Sequence, residues 1–178
     1  TLLTFLNYRT NQILFYDLET TDFLFKLNLN SEGPHGVVQP TGLYVKDLNH
    51  IYVSSYVYSG LMRVDTTCHI IQKIPYGITS KGYNVLPSYK TSSNHYIAPV
   101  IIDKKIYITQ NAIDRFHPIV DTPLSVVIDT VQKSCEDLPL TYGILTEKEL
   151  AIKDPRFSRV FNGKEFIYSF YVSEETYI

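Results

Sequence analysis

A short phrase recurs along this chain: an apolar run that ends in Asp, followed by a polar turn. It reads Ile13-Leu14-Phe15-Tyr16-Asp17, Leu61-Met62-Arg63-Val64-Asp65 and Ser125-Val126-Val127-Ile128-Asp129. The three Asp residues lie 48 and 64 positions apart. A second strand-like run follows each turn: Phe23 to Leu29, Ile70 to Ile74 and Ser134 to Leu140. Asp suits the end of such a run because its carboxylate accepts hydrogen bonds from the backbone of the turn. That role needs no catalysis.

Another β-rich phrase precedes the Asp phrase in each group. It appears as Leu2 to Leu6, Ile51 to Ser55, Ile106 to Gln110 and Phe166 to Phe170, with starts 49, 55 and 60 residues apart. Three of these runs follow a further apolar run across a tight turn. Those turns are Asp47 to His50, Asp103 to Lys105 and Asn162-Gly163-Lys164. Asn-Gly is the strongest short-range hairpin signal. Each group thus reads as four strands, a-b-c-d, and the chain as thirteen strands in the pieces 1–29, 41–76, 95–140 and 156–178. Repeated four-stranded antiparallel meanders are the unit of a β-propeller, with kelch-type blades at about 50 residues. The expected fold is therefore all-β, a partial propeller of roughly half of a six-bladed ring, which needs about 24 strands. The runner-up is a β-sandwich, which does not require the Asp turn to recur at one place in each group. One weak helical stretch, Leu145 to Lys153, falls between blades.

Composition supports strands: 15 Tyr and 9 Phe against one Met and no Trp. Sixteen basic and 18 acidic residues give a net charge of −2, which excludes a strongly basic nucleic-acid module. No apolar run approaches the roughly 18 residues of a membrane helix. The first residues carry neither a charged start nor a small-residue cleavage site, so no signal peptide is visible. Cys68 and Cys135 read as two buried thiols, or as a disulfide if they meet in space.

The stretch Leu14 to Pro75 includes Tyr16-Asp17-Leu18-Glu19, Glu32-Gly33-Pro34-His35-Gly36 and Ile51-Tyr52-Val53-Ser54. It resembles the six-bladed TolB-like and NHL-like propellers. More narrowly, it resembles a domain-of-unknown-function family of such propellers found as lipoproteins in Bacteroides and relatives. The resemblance implies export to the periplasm or cell surface on a lipid anchor.

In a meander blade the b-to-c and d-to-a loops leave one face and the a-to-b and c-to-d turns the other. The long segments Asn30 to Pro40, Gly77 to Asn94, Ala112 to Pro123 and Thr141 to Pro155 all belong to the first set. A rigid scaffold that presents long loops on one side is expected to bind there. Candidate ligand-binding residues are Glu32, His35, Tyr83, Tyr89, His95, Asp114, Arg115 and His117. Glu32 and His35 precede an inner strand, and His95 begins another, so they could face a central channel. Asp114, Arg115 and His117, with Asp121, offer carboxylates and imidazoles. Their spacing matches no metal motif, so no cofactor is expected, although a divalent ion such as calcium would find oxygen and nitrogen donors. The blander reading for both His residues is closure of a turn. Asp114 and Arg115 read equally as a local ion pair. Tyr83 and Tyr89 with Lys81 and Lys90 form an aromatic and cationic loop suited to a carbohydrate or peptide. Tyr52, Tyr107 and Tyr168 recur in the second strands and read as packing residues.

No nucleophile elbow or phosphate-binding loop is present. The expected function is a binding scaffold for a protein, peptide or carbohydrate ligand, rather than an enzyme. The rival is a metal-dependent hydrolase or lyase built round Glu32, His35, His95 and Asp114.

Overall fold

The computed structural model describes residues 1–75, 77–82, 99–109, 119–145, 157–171 and 176–178. These residues form four antiparallel sheets of three or four strands with almost no helix. They divide into two compact units, one of residues 1–75 and one of the described residues that follow.

The first unit holds two sheets. Strands β1 (Leu2–Asn7), β2 (Gln12–Asp17) and β3 (Phe23–Asn28) pair in chain order. Alternation decides which face each side chain takes. Ile13 and Phe15 point into the core, where Leu6 and Leu27 flank Ile13 by register. Phe15 stacks on Phe25 with ring centroids 4.5 Å apart. The second sheet runs β4 (Pro40–Asp47), β5 (His50–Ser55), β6 (Gly60–Val64) and β7 (Ile70–Pro75), again in chain order. Leu43, Val53, Met62, Val64 and Ile70 join Ile13 and Phe15 in one core. Burying a side chain of this size contributes about 1.5–3 kcal/mol. In β5 every residue from Ile51 to Ser55 is buried, so both faces of that strand are covered.

The second unit repeats the plan. Strands β8 (Val100–Ile102), β9 (Lys105–Thr109), β10 (Ser125–Asp129) and β11 (Ser134–Asp137) form one meander. Strands β12 (Phe157–Phe161), β13 (Phe166–Phe170) and β14 (Thr176–Tyr177) form another. Leu124, Tyr142, Leu145, Phe157, Tyr168 and Phe170 make its aromatic cluster. Short 3-10 turns at Ile119–Asp121 and Tyr142–Ile144 flank the bridge between Pro123 and Thr141.

The expected strands are all present in the described regions, and β14 is an addition that two residues of sequence pattern did not reveal. The weak helical stretch lies almost wholly outside the described residues, and Leu145 closes the second 3-10 turn. Tyr52 and Tyr168 are buried, and Tyr52 stacks on Tyr44 at 6.3 Å, as packing residues do. Tyr107 packs against Phe166, with ring centroids 5.2 Å apart.

Six of the hairpin turns share one chemistry. Asn7, Asp17, Asp47, Asp65, Asp129 and Asn162 each accept from backbone N–H groups two to four residues on, at 2.8–3.3 Å. The side-chain oxygen satisfies donors that the tight turn leaves outside the ladder. At the Asn-Gly turn Gly163 alone takes a positive φ, 98°, while Asn162 acts as the acceptor.

Candidate functional site

The segment between β3 and β4 is the long loop that the structure describes from end to end. Leu29 N donates to Asn11 O at 2.8 Å, which ties its start to the β1–β2 turn. Val37 N donates to Asn30 O at 2.6 Å and Gly36 N to Gly33 O at 3.0 Å, so the loop closes on itself. Val37 is fully buried and anchors it in the core. Closure is tight at Gly36, where an added Cβ would stand 2.5 Å from the Glu32 carbonyl oxygen. A larger residue there would force the loop open. Glu32, Pro34 and His35 remain exposed on this closed frame.

The loop then runs along the second sheet. Val38 O accepts from the Ser55 hydroxyl, and Gln39 O from Tyr56 N, at the end of β5. His35 meets His69 just before β7, with ring centroids 5.5 Å apart and planes at 72°. Ser55 and His69 lie at opposite ends of the strands they flank, so the stretch from His35 to Val38 spans the sheet. Strand counting placed this loop and that turn at opposite ends of a blade, and the contact shows how the loop crosses between them. It also puts His35 beside the turn that leads into β7, the last strand of the sheet.

The turn that receives His35 is built by Asp65. Its Oδ1 accepts from Thr67 N at 2.9 Å, His69 N at 3.0 Å and the Thr67 hydroxyl at 2.7 Å. The Thr67 hydroxyl comes first among the causes that hold the Asp65 carboxyl below its ordinary value. Thr67 Oγ1 also lies 2.9 Å from His69 Nδ1. Asp47 likewise engages its own turn histidine, His50, at 2.9 Å, and that contact lowers its pKa. In Asp17 and Asp129 the backbone donors themselves hold the carboxyl low.

Of the residues singled out from sequence, Glu32 and His35 share this loop, and Asp121 lies exposed on the first 3-10 turn. Tyr83, Tyr89, His95, Asp114, Arg115 and His117 lie outside the described residues. Among the described residues no group of three or more His, Cys, Asp or Glu is arranged to hold a metal. Cys68 and Cys135 are free and buried, and burial pushes the Cys135 thiol up to about 12. Neither is a reactive thiolate near neutral pH.

Sequence reasoning missed two residues. His69 meets His35 across 34 positions that no motif spacing links. Arg159 is the other. It is only 3% exposed and donates to Ser125 Oγ at 2.9 Å and Tyr107 O at 3.1 Å. The Tyr168 hydroxyl donates to the same Ser125 Oγ at 3.0 Å, and the guanidinium lies 4.8 Å from the Phe166 ring centroid. Arg159 joins the two sheets of the second unit. A signal was available: in β12 it shares a face with Phe157 and Phe161.

Residues 1–178 match the sequence profile of a domain of unknown function, DUF4221. The chain belongs to the DUF4221 family. The crystal structure of a DUF4221 member from Bacteroides vulgatus is similar, with a TM-score of 0.76 and 22% sequence identity. The match covers 95% of this chain and 49% of that one, so this chain spans about half the length of that relative. At this identity the likeness is one of fold. No curated protein matches.

Proposed function

We propose that this DUF4221 chain is part of a β-propeller that serves as a binding scaffold for a protein, peptide or carbohydrate ligand. The observation that carries the reading is the Asn30–Val37 loop. It is closed by its own backbone bonds, anchored by buried Val37, and displays Glu32 and His35 to solvent. Rigid loops on a sheet scaffold lose little entropy on binding. The propeller part of the reading rests on sheets that follow one another along the chain as meanders. The resemblance to TolB-like and NHL-like propellers extends the proposal to an exported, lipid-anchored protein of the periplasm or cell surface.

The rival, a metal-dependent hydrolase or lyase round a central channel, draws less support. It needs His35 to line that channel, whereas the ring contact of His35 is with His69 in the turn before β7. The test is an array of defined soluble polysaccharides and peptides, probed with the purified full-length protein and with its Glu32→Ala/His35→Ala variant. Specific retention that the double variant loses supports the scaffold. Turnover of any arrayed compound, or retention unchanged by the variant, overturns it.

A further inference from the structure

The contact between His35 and His69 is more specific than two rings packed together. The Thr67 hydroxyl has one proton, and Asp65 Oδ1 receives it at 2.7 Å. The short contact between Thr67 Oγ1 and His69 Nδ1, 2.9 Å, must then have the ring N–H as its donor. That fixes the neutral tautomer of His69. Nδ1 carries the proton, and Nε2 keeps its lone pair on an exposed ring. A chain from carboxylate to hydroxyl to imidazole is the outer support that metal-ligating histidines use. It orients the ring and holds its tautomer.

The second ring lies at the right separation. Two imidazoles that share one tetrahedral ion, with N–metal bonds of about 2.0–2.1 Å, hold their ring centroids about 5 Å apart. His35 and His69 stand at 5.5 Å, with planes well off parallel. His35 comes from the loop between β3 and β4, and His69 from the turn between β6 and β7. Both carriers are braced, the loop by Val37 and its closing bonds and the turn by Asp65.

We propose that His35 and His69 form a two-imidazole site for a borderline divalent transition-metal ion, zinc above all. Imidazole donors select zinc, copper or nickel over calcium and magnesium, which seek oxygen. With two protein ligands, water or a ligand group fills the remaining positions. Such an ion staples the crossing loop to the β6–β7 turn and leaves open coordination facing solvent. The site stands on the first unit and does not rest on the binding-scaffold reading.

The experiment is calorimetric titration of zinc chloride into the metal-stripped full-length protein, with calcium chloride in parallel. Four variants accompany it: His35→Ala, His69→Ala, Thr67→Val and, as a histidine outside the pair, His50→Ala. His35, Thr67 and His69 are exposed and His50 is half-buried, and circular dichroism confirms that all four variants fold. Saturable zinc binding is expected in the wild type and in His50→Ala, with loss in either His35→Ala or His69→Ala. Thr67→Val, which removes only the outer support, is expected to weaken zinc by about 10-fold or more. Calcium should give no heat at this site. Zinc binding equal in wild type and His35→Ala/His69→Ala overturns the site, as does a wild type that binds no zinc. A Thr67→Val variant that binds like the wild type overturns the assigned tautomer support.

Discussion

At the scale of single residues, the turns show sequence and backbone in agreement at one position and in conflict at another. An acceptor stands at the head of each hairpin named above, and this was readable because Asp and Asn there answer a local need of the backbone. The conflict lies at the far end of the same turns. Asn11, Thr21, Cys68 and Lys133 adopt positive φ values of 52°, 61°, 65° and 56°. Asn tolerates this region, whereas a β-branched residue does so at real cost. Thr21 is the clearest case, since it is exposed, and its hydroxyl donates only to the adjacent Thr20 O at 2.6 Å. Thr21→Gly is expected to stabilise the protein by about 1 kcal/mol, the left-handed penalty less the added chain entropy. Thermal melting reads this as a rise of a few degrees. A fall in melting temperature would show that Thr21 makes a compensating contact.

At the scale of elements, alternation made the strands legible, because apolar side chains spaced by two must share a face. The same rule placed Arg159 between Phe157 and Phe161 on an inward face, yet the charge argued for solvent. Tertiary contacts decide the matter. The guanidinium reaches across from β12 to Ser125 and Tyr107 on the neighbouring sheet, partners 34 and 52 positions away. Burial lowers its pKa, but an arginine stays protonated, so the charge must be held by hydrogen bonds and the Phe166 ring. Removing the side chain takes one donor from the Tyr107 carbonyl and one from the Ser125 hydroxyl, which keeps that of Tyr168, and opens a cavity. Arg159→Ala is expected to cost about 3 kcal/mol in urea denaturation. Arg159→Met, which keeps the volume and the contact with Phe166, should cost clearly less. Equal losses in the two variants would show that the hydrogen bonds, and not packing, carry the whole effect. A loss in Arg159→Ala below about 1 kcal/mol would show that Arg159 does not hold the two sheets together.

At the scale of the whole molecule, the two faces of the first sheet are unequal. One face carries Ile13, Phe15 and Leu27 into the core. By register the other carries Leu3, Phe5, Leu14, Tyr16 and Phe23. Phe5 and Phe23 are 51% and 53% exposed, and each meets Tyr16 edge-on, at 5.8 and 5.5 Å. Strand β5, buried on both faces, shows what a covered strand in this fold looks like. An aromatic row of this kind on an open sheet face is costly in water. The strand count in the sequence raised the expectation of part of a ring, but which face of a sheet lies open depends on which sheet covers which, and that is a tertiary fact. On the propeller reading, a neighbouring sheet packs about 10 Å away over this row. Phe5→Lys separates the two cases. In the 178-residue chain alone, Phe5 is half exposed, and the change is expected to alter stability by less than about 0.5 kcal/mol and to reduce binding of an apolar dye. In a longer DUF4221 protein with a closed ring, the same change buries a charge between sheets and should cost about 3 kcal/mol or more. A cost that stays small in both proteins removes the closed ring, because no sheet then covers the row that closure must bury.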